Sequence, residues 1–183
     1  MQLLFVQGGG GKGVHDEWDS KLVESLARSL GPSYDIRYPR MPNEDDPKFA
    51  QWKAALRREL DKLDAGAVLV GHSIGATILI HSLAENPPAR VPAGIFLISM
   101  PFIGEGGWPS DEIEPKPDLG AKLPPQSPVY IYEGSADDIV PAKHADLNAQ
   151  AIPQAVQRKL AGRDHQLNND MSEVAADIRE LSR

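Results

Sequence analysis

The sequence predicts an α/β fold, in which a mostly parallel sheet of about six strands lies between helices. This three-layer α/β/α sandwich is expected to form one domain over residues 1–183. Two observations predict it. Apolar runs of strand length alternate with segments of helical period, which is the pattern of a parallel sheet with helices on both faces. Every candidate functional residue also follows a predicted strand directly, where such sheets bind their ligands.

The first half of the chain begins with a buried strand at 2–7. A helix is expected at 16–31 because apolar residues recur every four positions and Gly31 stands where a C-cap belongs. A short alternating strand follows at 34–38, and then an amphipathic helix at 47–63. The apolar positions of these two helices are Trp18, Leu22, Leu26 and Leu30, and then Phe49, Trp52, Leu56, Leu60 and Leu63.

The second half continues the alternation. The strand at 66–73 runs into a turn, the helix at 74–86 ends before two prolines, and 93–99 is another buried strand. Residues 100–127 are rich in Gly and Pro, and a loop of that length is often functional. We expect Phe102, Ile103 and Trp108 in this loop to form part of an acyl pocket, and a surface patch for a protein partner is the alternative. A strand, a helix, a strand and a terminal helix then follow at 128–135, 141–152, 155–162 and 171–182.

Composition excludes several classes of function. The net charge of −7 and the scarcity of clustered Lys and Arg make nucleic acid an unexpected partner. The absence of cysteine excludes disulfides and thiolate zinc sites, and no His/Asp/Glu grouping has metal-ligand spacing, so no metal is expected. No apolar run approaches the ~20 residues of a membrane span, and the N-terminus lacks the basic region of a signal peptide. A cytoplasmic location is therefore expected.

The most informative motif is the pentapeptide Gly71-His72-Ser73-Ile74-Gly75, which has the pattern G-x-S-x-G between a strand and a helix. Small residues on both sides allow a strained turn that lifts the serine oxygen out of the sheet, at a helix N-terminus that favours negative charge. The sequence predicts Ser73 as a nucleophile and the amide of Ile74 as one oxyanion donor. The alternative is that Ser73 only caps the helix.

A serine nucleophile needs a base and an orienting carboxylate, which follow it along the chain in folds of this kind. Asp137 and Asp138 come just after the next-to-last strand, and His165 comes just after the last. We expect His165 to be the base, with Asp137 preferred over Asp138 as its partner. Asp164 would need a contorted turn to reach the ring of its neighbour.

The other histidines have ordinary explanations. His72 is expected to pack against its strand and His15 to lie in a solvated loop. His81 is eight residues beyond the serine, within a helix, and is too far away to act. His144 precedes the last strand, which makes it a poor competitor of His165.

The glycine run at 8–13 has two interpretations. Gly8, Gly10 and Gly13 satisfy the dinucleotide fingerprint G-x-G-x-x-G, and Arg40 could serve a 2′-phosphate, which would indicate an NADP-dependent oxidoreductase. The favoured interpretation is that one backbone amide of the run faces Ile74 and completes an oxyanion hole. Gly9 is the preferred donor and Gly10 the alternative, and a larger residue at Gly9 is expected to lower the rate more than the stability.

The motifs together resemble the α/β-hydrolase superfamily. "GHSIG" (71–75) corresponds to its nucleophile elbow, "GSADDIVP" (134–141) to its G-x-x-D-x-x-V-P acid turn and "GRDHQL" (162–167) to its histidine loop. The small size and the segment "YPRMPNEDDPKFAQW" (38–52) are similar to the compact branch typified by retinoblastoma-binding protein 9 and its bacterial relatives. The chain departs from the superfamily at 7–8, where Gln-Gly replaces the frequent His-Gly.

The resemblance implies a serine hydrolase without a cofactor, acting on small-molecule esters, amides or thioesters through an acyl-enzyme. The implied triad is Ser73, Asp137 and His165. Superfamily membership does not determine the substrate. A non-catalytic module that keeps the fold and binds a protein partner is the remaining alternative.

Overall fold

A computed structural model of the protein describes residues 1–181. At its centre is a six-stranded sheet in which all neighbouring strands are parallel, in the order β2-β1-β3-β4-β5-β6. The predicted parallel sheet of about six strands is therefore confirmed. The strands are β1 (Gln2–Val6), β2 (Asp35–Arg37), β3 (Val68–His72), β4 (Gly94–Ile98), β5 (Val129–Gly134) and β6 (Val156–Leu160).

Helices cover both faces of the sheet, which confirms the three layers. Helices α1 and α5 pack on one face with residues such as Leu22 and Val174, while α2, α3 and α4 pack on the other with Trp52 and Ile78. The helices are α1 (Ser20–Leu30), α2 (Phe49–Leu60), α3 (Ser73–Glu85), α4 (Lys143–Ala151) and α5 (Ser172–Glu180). The last position predicted as helical, residue 182, lies outside the described residues.

Strand alternation divides the core into two halves. In β1, Leu4 and Val6 face α2 and α3, whereas Leu3 and Phe5 face α1 and α5, and all four are fully buried. Because both faces are covered, the inner strands appear as continuous apolar runs. The edge strands β2 and β6 are partly exposed.

One helix begins differently from the sequence prediction. The segment Val14–Asp19 forms a π-helical turn before α1. The wider turn changes the direction in which its own residues point relative to the α-helical register of α1. As a result Trp18, predicted on the apolar face with Leu22, is 52% exposed, while Asp19 is fully buried. The prediction for Trp18 was wrong for this reason.

The long segment 100–127 is held in place by buried anchors. Ile113, Leu119 and Leu123 are each nearly inaccessible to solvent, and Leu119–Lys122 forms a 3₁₀ turn. A second 3₁₀ turn spans Leu167–Asn169. Within residues 1–181, none of the helices combines the length and apolar character needed to span a bilayer.

Candidate active site

The turn between β3 and α3 holds a serine in a strained conformation. Strand β3 ends at His72, and Ser73 begins the helix with φ of +52°. Both neighbouring glycines are sterically required there. A Cβ on Gly71 would lie 2.6 Å from the Cα of Ala76, and one on Gly75 would lie 1.9 Å from the carbonyl oxygen of Gln7. The serine hydroxyl is thus held at the positive end of a helix dipole.

A chain of hydrogen bonds connects this serine to a carboxylate. Ser73 Oγ lies 3.0 Å from His165 Nε2, and His165 Nδ1 lies 2.8 Å from Asp137 Oδ2. The three residues come from the ends of β3, β5 and β6, which meet at one edge of the sheet. This is the arrangement in which a histidine can take a proton from a hydroxyl while a carboxylate orients its ring.

Asp137, and not Asp138, contacts the histidine. Its other oxygen accepts hydrogen bonds of 2.9 Å from the amides of Ile139 and Val140, and its side chain is 3% exposed. Burial alone would raise the pKa of Asp137, but the hydrogen bonds from His165 and from Val140 outweigh it and lower the pKa. The carboxylate therefore remains ionised at neutral pH. Asp138 is exposed beside it.

The first glycines of the run differ in whether their amides are available. The Gly8 amide donates to Asp19 Oδ2 at 2.7 Å, and the Gly10 amide donates to the carbonyl oxygen of Glu44 at 2.7 Å. Within residues 1–181 the amide of Gly9 has no partner. Of the two candidates for the second oxyanion donor, Gly9 is therefore the one whose amide is free.

Gly9 also has little space around it. A Cβ there would approach the Glu44 carbonyl oxygen to 3.0 Å, Pro47 to 3.1 Å and Trp52 to 3.2 Å. These contacts are tighter than ordinary van der Waals packing, so a substitution at Gly9 would disturb the core as well as the amide. A loss of stability is therefore expected in addition to the loss of rate that the sequence predicts.

The end of the glycine run, at Gly13, binds a carboxylate of the protein itself. Glu44 accepts hydrogen bonds from the amides of Gly13 (2.9 Å) and His15 (2.8 Å) and from Gln7 Nε2 (2.9 Å). Burial opposes ionisation of Glu44, but these donors outweigh it and lower its pKa. Arg40 is paired as well, with a carboxylate of the π-helical turn at 2.6 Å. The amides of the three fingerprint glycines and the Arg40 side chain therefore all have partners within the protein.

Two adjoining cavities open beside the serine. The larger, of about 580 Å³, is bordered by Ser73, His165 and the glycine run, and the smaller, of about 230 Å³, lies under the 100–127 loop. Trp108 and Ile74 border both, and Ile103 lines the smaller one. Phe102 lines neither cavity, so its predicted place in the pocket was wrong; it packs instead against the glycines of its own loop.

The cavity walls are apolar and their charged groups are acidic. Val14, Trp18 and Ile139 surround the larger cavity, with Asp138 and Asp164 at its rim. Neither cavity has Lys or Arg among its described lining residues. Asp164 Oδ1 accepts two amides of its own loop and does not contact the ring of His165.

Three of the other histidines lie away from the serine. His15 stacks on Tyr38 with ring centroids 4.1 Å apart. His81 is buried in α3, and His144 Nδ1 accepts the amide of Phe102 at 2.9 Å. Among the residues described, no group of His, Asp and Glu side chains has the geometry of a metal site.

His72 has a different role from the packing that its sequence position predicts. Its Nδ1 lies 3.0 Å from Asp19 Oδ2, and its Nε2 lies 3.1 Å from the carbonyl oxygen of His165. Sequence reasoning missed both Asp19 and Glu44. The sequence did indicate that Asp19 is buried, because it stands three residues before Leu22 and so shares the apolar face of the helix. A carboxylate on that face needs a buried partner.

This fold and site define an α/β hydrolase without a lid: a parallel sheet with a serine elbow after the third strand and a histidine after the last. The chain belongs to the serine hydrolase family, whose model matches residues 4–168. No curated protein sequence is significantly similar to it.

Solved structures share this fold. The ydeN gene product of B. subtilis has a TM-score of 0.77 at 19% identity, covering 99% of this chain and 98% of that one. An α/β serine hydrolase without a lid from Xanthomonas campestris has a TM-score of 0.67 at 17% identity, covering 100% and 80%. The esterase domain of a Rhodothermus marinus protein has a TM-score of 0.63 at 21% identity, covering 99% and 84%.

Proposed function

We propose that this protein hydrolyses carboxyl esters through an acyl-enzyme, with Ser73 as nucleophile, His165 as general base and acid, and Asp137 as the carboxylate that orients the ring. The continuous hydrogen-bond chain from Ser73 Oγ through His165 to Asp137, with links of 3.0 and 2.8 Å, carries the proposal. The similarity in fold to an esterase domain agrees with it.

The reaction follows from the positions of the groups. As Ser73 Oγ attacks the ester carbonyl carbon, its proton passes to His165 Nε2, and the oxyanion forms between the amides of Ile74 and Gly9. The tetrahedral intermediate expels the alkoxide, which takes the proton from His165 and leaves Ser73 acylated. Water, deprotonated by His165, then attacks the acyl carbonyl, and collapse of the second intermediate releases the acid and restores Ser73.

The substrate is an uncharged or cationic ester of moderate length. Apolar walls at Trp18, Trp108 and Ile139 favour a hydrophobic acyl or alkyl group, and the rim carboxylates Asp138 and Asp164 repel an anionic one. The net charge of −7 also repels an anionic substrate, at longer range than the rim carboxylates do.

A fluorophosphonate probe tests the chemistry. We expect stoichiometric labelling of the wild type, none of Ser73→Ala, greatly slowed labelling of His165→Gln, and normal labelling of Asp138→Asn as the matched control. An unlabelled but fully folded wild type would contradict the proposal and favour a binding module. NADP binding with Ser73→Ala fully active in a reduction assay would favour an oxidoreductase.

Three p-nitrophenyl esters test the substrate class: hexanoate, the ω-carboxylate adipate and the ω-ammonium 6-aminohexanoate. We expect kcat/KM for adipate to be at least about tenfold below that for hexanoate at low salt. This difference in kcat/KM should become smaller as added salt screens the rim carboxylates. The variant Asp138→Asn should also reduce the difference in kcat/KM between hexanoate and adipate. Equal rates for the neutral and anionic esters would contradict the charge selection while leaving the hydrolase assignment intact.

A further inference from the structure

A second histidine–carboxylate pair lies directly behind the candidate triad, and the hydrolytic mechanism does not use it. His72 and Asp19 are 53 residues apart in sequence, and their side chains are 1% and 0% exposed. Because an isolated buried charge is costly, the contacts around this pair decide which of its atoms carry protons.

Both ring nitrogens of His72 face acceptors. Nδ1 faces the Asp19 carboxylate at 3.0 Å, and Nε2 faces the main-chain carbonyl oxygen of His165 at 3.1 Å. A carbonyl oxygen cannot donate, so Nε2 must carry a proton. Asp19 in turn accepts the Gly8 amide at 2.7 Å and Gln166 Nε2 at 3.2 Å, which favours its ionised form. The other proton then belongs on Nδ1.

We propose that His72 is a permanent imidazolium paired with Asp19, and that this buried ion pair is a positioning element that holds the His165 backbone and the Gly8–Gly9 loop around Ser73. Its kinetic consequence rests on the proposed function. Ser99 Oγ makes a second hydrogen bond, of 2.9 Å, to the same His165 carbonyl oxygen, so two donors fix the main chain of the base.

The titratable groups around His72 agree with this protonation state. Burial disfavours the charge on His72, but the attraction of Asp19 outweighs it and raises the pKa of His72. The other titratable neighbours are His165, with ring centroids 5.0 Å apart, and Asp137. Since Asp19 neutralises His72, the pair supports the His165 loop without placing a net charge beside its ring.

An asparagine at position 19 cannot reproduce these contacts. If its oxygen occupies the place of Oδ2, it accepts from Gly8 and from Nδ1 of a neutral His72, whose Nε2 lone pair then faces the His165 carbonyl oxygen. If its amide nitrogen occupies that place, the side-chain NH₂ faces the Gly8 N–H, and two donors meet without an acceptor. Either arrangement loosens one side of the site.

Nitrogen-15 NMR of the histidine rings in the 183-residue chain tests the pair independently of activity. At about pH 7.5, above the ordinary histidine pKa, we expect both nitrogens of His72 to be protonated. His81 and His144, whose pKa values burial lowers, should be neutral in the same spectrum. Loss of one signal in His72→Gln assigns it. A neutral His72, or one that titrates near its ordinary pKa, overturns the proposal.

Kinetics of Asp19→Asn test the positioning role. We expect kcat for p-nitrophenyl hexanoate to fall about 10- to 100-fold with KM within about twofold, a loss of the size that misplaced groups produce. His72 should become neutral in the NMR spectrum of this variant. Asp16→Asn, an exposed carboxylate of the same π-helical turn, should keep kcat within about twofold. An unchanged kcat in Asp19→Asn overturns the positioning role, whereas a wild type without esterase activity or probe labelling contradicts the proposed function and leaves the NMR result to decide the pair.

Discussion

The alanine substitution Gly75→Ala tests whether the spacing between α3 and β1 sets the geometry of the site. The new Cβ would lie 1.9 Å from the carbonyl oxygen of Gln7, and real Cβ atoms essentially never come closer than 3.0 Å. The helix and the strand end must therefore separate by about 1 Å, which overpacking makes costly by about 1–3 kcal/mol. Ser73 and the Ile74 amide move with the helix, whereas Gly9 stays with the strand.

A misplacement of about 1 Å between reacting groups lowers the rate by about a hundredfold. We expect Gly75→Ala to lose about that factor in kcat on p-nitrophenyl hexanoate, with KM changed much less. Urea unfolding followed by circular dichroism measures the loss of stability on the same sample, which separates a displaced site from an unfolded fraction.

Gly66→Ala is the matched control for this experiment. Gly66 has φ of +80° and open space around its missing Cβ, and it lies before β3, at the opposite end from the site. The substitution should cost about 1–2 kcal/mol of stability from left-handed strain, with kcat unchanged. A Gly75→Ala protein that is destabilised but keeps kcat within threefold of wild type would refute the reasoning about spacing.

Three further changes have expected outcomes. Asp137→Asn should lower kcat by about 10⁴-fold, as expected when the histidine loses its orienting carboxylate, and Asp138→Asn should stay within about threefold; similar losses in both would contradict the assignment. Glu44→Gln should cost about 1.5–3 kcal/mol in urea unfolding and lower kcat, because charged hydrogen bonds to the glycine loop are lost, whereas exposed Asp46→Asn should change neither. Burial lowers the pKa of His81 from 6.5 to about 4. Protonation of His81 therefore favours the unfolded state, and about 3 kcal/mol of stability should be lost as the pH falls from 6.5 through about 4. The variant His81→Leu should not show this loss. If the free energy of unfolding of His81→Leu depends on pH as that of the wild type does, the prediction is contradicted.

Much of the site was predictable because its requirements are local. The turn around Ser73 needs small residues at Gly71 and Gly75, and this condition is visible in five consecutive letters. Asp137 and His165 each follow directly after a strand, and parallel strands end at one edge of the sheet. A local pattern and a simple topological rule were therefore enough to bring together side chains up to 92 residues apart.

The supporting carboxylates were harder to predict because their partners depend on register in three dimensions. The apolar face of α1 indicates that Asp19 is buried, but its partners, the Gly8 amide and His72, lie on other elements 11 and 53 residues away in sequence, and no local pattern identifies them. Glu44 lies in the loop between β2 and α2, 31 residues from Gly13 in sequence, so its contact with the Gly13 amide joins two separate loops. The three acidic residues at 44–46 look alike in sequence, but Glu44 accepts the Gly13 amide whereas residues 45 and 46 are exposed.

The glycine run shows why a fingerprint of residue types did not by itself identify a ligand. Gly8, Gly10 and Gly13 are the positions that match the dinucleotide pattern, and their amides donate to Asp19, to the Glu44 main chain and to the Glu44 side chain. A pyrophosphate would have to displace two carboxylates that the protein already holds. Among the described residues, the amide of Gly9 stays free between the occupied amides of Gly8 and Gly10, and Gly9 lines the same cavity as Ser73. A pyrophosphate needs several donors, and the amides of the three fingerprint glycines already have partners within the protein. An oxyanion needs only one or two donors, so these occupied amides favour the hydrolase over the nucleotide interpretation.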